Sequence, residues 1–264
     1  MYDLAYGRNG VHIFDRGTGT LLRTIPYMWP DAQYSLRERV AVLGARTIVG
    51  ETLMAYCGGV TGCGPCETCG PSGSCVAAPH PTCQQMTPSG DFRLMFLNTD
   101  GGDLAQWKGS GQFAPGGPPD TGPAFFLFGA PNIDTDYALC VYDASSALLF
   151  RAEAPADDTC AGAPCWRMRG SPFGPRGTYS YRDRDRTPDG VRSVRLFRRT
   201  DTGLATINVR GSGPNLSNHP QGLPSLPLTL PLRVQLQSRD GQCFETTHST
   251  ATINSAERFV SPSD

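Results

Sequence analysis

Short runs in which apolar and polar residues alternate recur along most of the chain, a pattern typical of β-strands with one buried face. Near the start, the runs 10–15 and 20–25 flank one turn, and the runs 40–43 and 47–50 flank another. Turn residues between two alternating runs indicate a β-hairpin. The pattern therefore predicts two hairpins, which together have about the size of one propeller blade.

The longer part of the chain, residues 85–264, has the same pattern at closer intervals. Strands are predicted at 92–96, 124–128, 137–142, 147–151, 177–181, 191–196, 205–209, 232–236 and 243–246. Short strands at this spacing predict an antiparallel β-sandwich. Gln235 and Gln237 alternate with apolar Val234 and Leu236, which predicts that the glutamines lie on a wet sheet face.

Composition supports an all-β chain, because 31 glycines and 23 prolines among 264 residues interrupt it too often for long helices. The fold class is thus a propeller-blade-like β-meander at 1–56, a disulfide-rich connector at 57–84 and an antiparallel β-sandwich at 85–264. A formal charge of −1 gives no whole-protein field toward nucleic acid or an anionic membrane. No run approaches the roughly 20 apolar residues of a membrane span.

Ten cysteines in a chain of this size favour disulfides, an oxidising compartment and export. Six of them crowd the connector, and their even number favours three disulfides with 15 possible connectivities: Cys57, Cys63, Cys66, Cys69, Cys75 and Cys83. A zinc or iron–sulfur site at the closely spaced Cys63, Cys66 and Cys69 is the alternative, with His80 as a further zinc ligand.

In the main domain, Cys160 and Cys165 are close enough in sequence for one loop-closing disulfide. Cys140 and Cys243 remain, each within a predicted strand. We therefore expect them to form a second disulfide, with Cα atoms within about 7 Å. Residues 1–6 lack the basic and apolar regions of a secretory signal, so the chain is expected to begin inside a longer exported protein, extracellular or at the cell surface.

Two groups of side chains are candidate sites. Asp183, Asp185 and Asp189 alternate before a glycine, as oxygen ligands of calcium do, and 132–136 is a second acidic loop. The alternative is a hairpin turn with solvated ion pairs. Trp107, Tyr179 and Tyr181 are candidates for an aromatic platform that binds sugar rings, and the alternative is core packing, which also suits Trp166 beside Cys165.

Arginines at 192, 195, 198 and 199 form a possible basic stripe, but the nearby Asp183, Asp185, Asp189 and Asp201 weaken it. Catalytic motifs are absent from the sequence, and the four histidines are isolated from one another. We therefore expect a protein that is not an enzyme and needs no cofactor, with calcium as a candidate. A hydrolase with a dispersed carboxylate pair is the alternative.

Residues 1–56 resemble the FG-GAP (integrin-α-like) repeats of secreted propellers. The match rests on Gly10, Phe14, Asp15 and on the residues around 18–22 and 40–50, where the repeat has a Thr-Gly turn followed by a Val-Ala strand. It departs from the repeat at 36–39, and no calcium loop follows. A propeller needs about four to eight blades to close, so a plain pair of hairpins is the alternative.

Residues 85–264 resemble an uncharacterised β-sandwich domain of exported environmental bacterial proteins, through motifs at 137–145, 160–166, 179–190, 211–216 and 231–246. This resemblance implies fold and export but no chemistry. The sequence thus predicts a non-catalytic extracellular binding or adhesion module of a larger exported bacterial protein, with a protein or glycan ligand at a cell surface. A purely structural spacer, or a carbohydrate-binding module attached to a secreted hydrolase, is the alternative.

Overall fold

The computed structural model describes the chain in segments. The strands of residues 2–55 are described by their backbone, and the following residues are described in full: 63–70, 72, 74–86, 92–99, 102–112, 128–170, 176–199, 203–217, 222–239 and 241–264. The chain forms two compact units, Met1–Gly62 and Cys63–Asp264.

The first unit contains two antiparallel meanders of three strands each. Their strands are β1 Tyr2–Gly7, β2 Gly10–Asp15, β3 Leu21–Pro26, β4 Val40–Leu43, β5 Arg46–Val49 and β6 Thr52–Ala55. The pairs β2–β3 and β4–β5 are the two predicted hairpins, which are thereby confirmed. Each hairpin has one further strand, and the resemblance to FG-GAP repeats stays a prediction.

The second unit is built from strands and one short helix. The strands are β7 Glu67–Cys69, β8 Cys75–Ala77, β9 Gln84–Thr87, β10 Arg93–Leu97, β11 Leu104–Phe113, β12 Tyr137–Tyr142, β13 Leu148–Ala154, β14 Thr159–Cys160, β15 Ala163–Pro164, β16 Trp166–Gly170, β17 Arg176–Arg182, β18 Val191–Arg199, β19 Leu204–Ser212, β20 Leu232–Ser238, β21 Cys243–His248, β22 Ile253–Asn254 and β23 Arg258–Pro262; helix α1 is Pro214–Asn218.

Thirteen of these strands are joined by pairing and fold into two layers; ten follow one path, and β10, β23 and β22 branch from it at β11. Sheet A has the order β13-β12-β20-β21-β9, and sheet B the order β16-β17-β18-β19-β11-β10-β23-β22. Strand β9 joins them, because it pairs in parallel with β21 and antiparallel with β11. The predicted all-β, disulfide-rich sandwich is confirmed.

A single apolar core lies between the two sheets. The rings of Phe96 in sheet B and Phe150 in sheet A meet edge to face at a centroid distance of 5.3 Å. The ring of Trp166 is tilted against Tyr181 at a centroid distance of 5.3 Å and against Tyr137 at 6.2 Å. Aromatic contacts of this geometry add to the hydrophobic gain of burial and fix how the layers face each other.

Four strands of sheet B were missed by the pattern of apolar residues, namely the two-residue β22 and three longer ones. Strand β11 contains glycine at 109 and 111, where the sequence indicates a turn, and β23 ends in a proline. Strand β16 follows directly on Cys165 and holds two arginines. All three are paired on both sides or packed on the core, so tertiary contacts outweigh their weak local preference.

The cysteine-rich segment, residues 63–86, is fastened across the outer face of sheet A. Cys66 is bonded to Cys140 in β12, and Cys83 is bonded to Cys243 in β21. The predicted Cys140–Cys243 disulfide is therefore wrong. The two cysteines lie on strands that β20 separates, and the registers place both on the same face, so each bonds to the segment that crosses above it.

The remaining described cysteines close local loops. Cys63 is bonded to Cys75 within the segment, and Cys160 to Cys165, as predicted. Cys69 is also in a disulfide, whereas Cys57 lies outside the described residues. The expectation of three disulfides inside residues 57–84 is wrong, because Cys66 and Cys83 bond to the sandwich. Residues 63–84 thus belong to the same compact unit as the sheets.

The glutamines predicted to face water are buried beneath this segment. Gln237 accepts a hydrogen bond from the backbone N–H of Cys66 at 2.7 Å. Gln235 accepts from the N–H of His80 at 2.9 Å and donates to its carbonyl at 3.1 Å. The prediction of a wet face is wrong, because the side-chain amides form hydrogen bonds with the backbone of the crossing segment instead of with water. The buried amides and the buried backbone groups are thereby both satisfied.

The same buried layer holds one carboxylate. Glu245 accepts from Gln85 at 2.5 Å and from Gln235, and its other neighbour is Arg233, with Nε 3.7 Å away. Tyr142 donates to the carbonyl of Ala78 at 3.1 Å. The contact between the segment and sheet A is therefore largely polar, apart from the small cluster around the Cys66–Cys140 disulfide.

A buried histidine, His248, links strands β21 and β23 through hydrogen bonds. Trp107 donates to the hydroxyl of Thr246 at 3.1 Å, and that hydroxyl contacts Nε2 of His248 at 3.1 Å. Nδ1 of His248 lies 2.9 Å from the carbonyl of Pro262. Since a carbonyl only accepts, Nδ1 carries the proton and Nε2 accepts from Thr246. Burial lowers the pKa of His248 to about 4.

The two long-range disulfides should stabilise the fold more than the short one. On the chain-entropy account, loops of 74 and 160 residues give roughly 4 to 5 kcal/mol each and a loop of 5 residues about 2 kcal/mol. We expect Cys83→Ser/Cys243→Ser to lower the free energy of unfolding more than Cys160→Ser/Cys165→Ser does, measured by urea titration. A smaller loss in the first variant would contradict this account.

The folded protein should lose stability below about pH 6.5 because of His248. Its unfolded form gains a proton near its ordinary pKa of 6.5, whereas the folded form stays neutral down to about pH 4. Acidification through this window thus favours unfolding, by about 3 kcal/mol at the lower end. His248→Gln lacks the titrating imidazole and should not show this loss. The free energy of unfolding of the wild type minus that of His248→Gln should therefore fall by about 3 kcal/mol between pH 7 and pH 4.

An independent measurement does not depend on the variant. Ring ¹⁵N shifts of His248 should report the neutral Nδ1–H tautomer throughout pH 5 to 7. A titration of this ring with a midpoint near 6.5 would show that it is not held as described.

Candidate binding face

The two outer faces of the sandwich differ in what they present. The outer face of sheet A lies under residues 63–86, whereas the outer face of sheet B carries exposed charged side chains. On β18, buried and less buried positions alternate, with Val194 and Leu196 inward and Arg195 exposed. We call the outward side of sheet B the basic face.

The strands of sheet B contain no aspartate and no glutamate. Their outward positions, assigned from the strand registers and the burial pattern, hold the following basic residues: Arg93, Lys108, Arg167, Arg169, Arg176, Arg182, Arg195, Arg199, Arg210 and Arg258. All are exposed except Arg199, which is half-buried. Charge of one sign is thus concentrated on one side of a chain whose formal net charge is −1.

One row of this face runs straight across the strands. The registers place Arg167 opposite Ser180, Ser180 opposite Arg195, and Arg195 opposite Asn208. Asn208 lies opposite Lys108, which lies opposite Arg93. These six residues form the central row. Its four basic members have no carboxylate partner among the residues that the structure describes.

The predicted basic stripe on β18 is only partly correct. Arg195 and Arg199 lie on the basic face, but Arg198 is buried, with 3% exposure, because it falls on the inward side of the alternation. Arg192 is exposed next to a bulge in the register. Of the acidic residues expected to weaken the stripe, Asp183 and Asp189 are buried in the loop before β18, whereas Asp185 in the same loop is exposed. Asp201 lies outside the described residues.

The predicted aromatic platform is not on the surface. Trp107 and Tyr181 are fully buried, and Tyr179 is 5% exposed, so all three rings belong to the core. The prediction that they bind sugar rings is wrong, because they occupy the inward positions of β11 and β17. The hydroxyls of both tyrosines are buried without a hydrogen-bond partner among the described residues, and burial raises the pKa of Tyr179 to about 12.

The predicted calcium ligands shape a loop. Asp183 accepts from the backbone N–H groups of Asp185 at 2.8 Å and Thr187 at 2.7 Å. Asp189 accepts from the N–H of Glu153 at 3.1 Å, and Asp185 is exposed. The three carboxylates are not among the groups whose ligand atoms come within 4.8 Å of one another. Calcium at this loop stays a prediction. Asp183 and Asp189 already have a structural role without a metal ion, because each accepts hydrogen bonds from backbone N–H groups.

The second acidic loop is also engaged locally. Asp136 accepts from the N–H of Ala156 at 2.8 Å and pairs with Arg239 at 3.1 Å. Asp134 contacts the hydroxyl of Thr135. Asn132 has a buried amide oxygen without a partner among the described residues.

Two groups of potential metal ligands do come together in the described part of the chain: His80 with Cys83 and Cys243, and Asp158 with Cys160 and Cys165. Their cysteines are in disulfides, so no thiolate is available as a ligand. The same applies to Cys63, Cys66 and Cys69, the residues considered for zinc or iron–sulfur. Burial lowers the pKa of His80, whose backbone is tied to Gln235.

Sequence reasoning missed most of the basic face because its residues are far apart along the chain. Arg93, Lys108 and Arg167 come from three different predicted or missed strands and meet only through pairing of the strands. One signal was available: the runs that become sheet B lack acidic residues, although the chain has 24 of them.

In the described residues, no helix is both long enough and apolar enough to span a bilayer. The disulfides indicate an oxidising environment. The chain matches no family model, and no curated protein and no solved structure gives a match to it.

Proposed function

We propose that this chain is a non-catalytic binding module of an exported bacterial protein, and that the basic face of sheet B is its binding surface. The observation that carries the proposal is the sidedness of the sandwich. One outer face is occupied by the chain's own disulfide-bonded segment, and the other presents basic side chains on strands without acidic residues.

Electrostatics support a ligand rather than a purely structural role for this face. Neighbouring cations in the central row are separated by one or two strand spacings, about 5 to 10 Å, which is comparable to the Debye length in physiological salt. They repel one another in the free protein, and an anionic ligand that touches several of them relieves this repulsion. Such a field also accelerates encounter with anions.

The arrangement of polar groups elsewhere favours binding over catalysis. His248 uses both ring nitrogens in the core. Asp183 and Asp189 accept hydrogen bonds from the backbone, and Glu245 is held beneath the cysteine-rich segment. Each of these groups is engaged in hydrogen bonds with the chain itself and contributes to the fold where it is.

The proposal predicts that adhesion depends on the basic face. Fluorescently labelled protein should be retained on washed bacterial cells, and Lys108→Glu/Arg195→Glu should reduce retention at least tenfold, because two cations become anions in the middle of the face. Arg239→Glu, a reversal at an exposed position whose partner is Asp136, is the control and should retain binding.

Equal retention of the face variant and the control would favour the alternative of a structural spacer. Circular dichroism melts of each variant test that the fold is intact, and all substituted side chains are on the surface.

A further inference from the structure

The basic face has the form of a site for a linear polymer. Its central row, Arg167, Ser180, Arg195, Asn208, Lys108 and Arg93, crosses six neighbouring strands. At about 4.8 Å per strand spacing the row is roughly 24 Å long. A compact ligand would use only part of it, whereas an extended chain lying across the strands would reach every member.

Within the row, charged and uncharged residues alternate over five strands. Arg167, Arg195 and Lys108 are separated by Ser180 and Asn208, whose hydroxyl and amide groups donate and accept hydrogen bonds. A pyranose ring with its glycosidic oxygen is similar in length to the strand spacing of about 4.8 Å. The alternation therefore matches a polymer in which an acidic sugar is followed by a neutral one.

Asn208 adds a second observation. Its amide oxygen is buried and has no hydrogen-bond partner among the described residues. A buried acceptor without a donor is costly, so a ligand that supplied a donor to it would gain binding free energy. Asn208 lies between Arg195 and Lys108 in the row, so a polymer that contacts both cations passes over this residue.

The chemistry of the face distinguishes carbohydrate from other polyanions. Binding of single-stranded nucleic acid relies on bases stacked on exposed aromatic rings. The aromatic ring on the outward side of β18, Phe197, is half-buried, and Trp107, Tyr179 and Tyr181 are in the core. Association with a membrane relies on exposed apolar side chains. The large exposed apolar residues of the described chain, Val76 and Ile133, are not on sheet B.

We infer that the basic face binds an acidic polysaccharide in which carboxylated and neutral sugars alternate, laid across the strands along the central row. This inference rests on the proposed function and names its ligand. Arginine suits the task because its planar donors match a carboxylate in two-point contact. Serine and asparagine then contact the neutral sugars between the carboxylates.

The test uses the full chain with its disulfides intact. A hyaluronan decasaccharide, in which glucuronate alternates with a neutral amino sugar, is titrated into the protein by calorimetry at physiological salt. We expect binding, weakened about tenfold by Arg195→Ala and again by Lys108→Ala, since each removes a hydrogen bond between charged groups. Arg239→Ala removes one charge elsewhere and should leave the affinity unchanged.

Three comparisons decide between ligand classes. A neutral chitin oligomer should not bind, and oligogalacturonate of equal length, with a carboxylate on every sugar, should bind more weakly than hyaluronan. Oligo-thymidylate and phosphatidylglycerol vesicles should also bind more weakly. Absence of hyaluronan binding, insensitivity to Arg195→Ala, or tighter binding of any comparison polymer or vesicle would overturn the inference.

The outcome is separable from that of the proposed function. If cell retention depends on Lys108 and Arg195 but hyaluronan does not bind, the face is a binding surface for a different anion and the polysaccharide inference fails alone. If neither measurement responds to these residues, both fail.

Discussion

Two covalent links decide the architecture of the second unit. Cys66–Cys140 and Cys83–Cys243 hold residues 63–86 against the outer face of sheet A at two separate points. A segment that is fixed at both places cannot swing away from the sheet. The segment thereby covers the outer face of sheet A as a third layer, whereas no such segment is bonded across sheet B in the described residues. The outer face of sheet B is therefore the one that remains available.

The interface beneath the segment explains why covalent links are needed there. Gln235, Gln237 and Glu245 meet the segment through hydrogen bonds, and hydrogen bonds exchanged with water contribute only about 1 kcal/mol each. Little apolar area supports the contact beyond the cluster of Cys66, Ala138, Cys140 and Tyr142. The polar layer gives the segment its register on the sheet, and the disulfides supply the stability that such a layer lacks.

Sequence patterns were sufficient for the fold class and for most of the strands, because alternation and turn residues are local. Both N-terminal hairpins, the sandwich and the Cys160–Cys165 loop follow from neighbours in sequence. The predictions that were wrong concerned contacts between residues distant in sequence. The pairing of Cys140 and the burial of Gln235 both depend on a segment that crosses sheet A from elsewhere in the chain, and nothing local to β12 or β20 encodes that crossing.

The basic face shows the same limit for function. Net charge is a sum over all residues, and a value of −1 is compatible with any distribution of 23 basic and 24 acidic side chains. Steering and recognition depend on the distribution, because screening limits each charge to neighbours within about 10 Å. Among the described acidic residues, Asp183 lies in a loop and Glu245 beneath the cysteine-rich segment, and none lies on a strand of sheet B. Strand order then brings Arg167, Arg195 and Arg93 into one row. A net charge near zero thus conceals a concentration of basic side chains on one side of the sandwich, which only the pairing of the strands reveals.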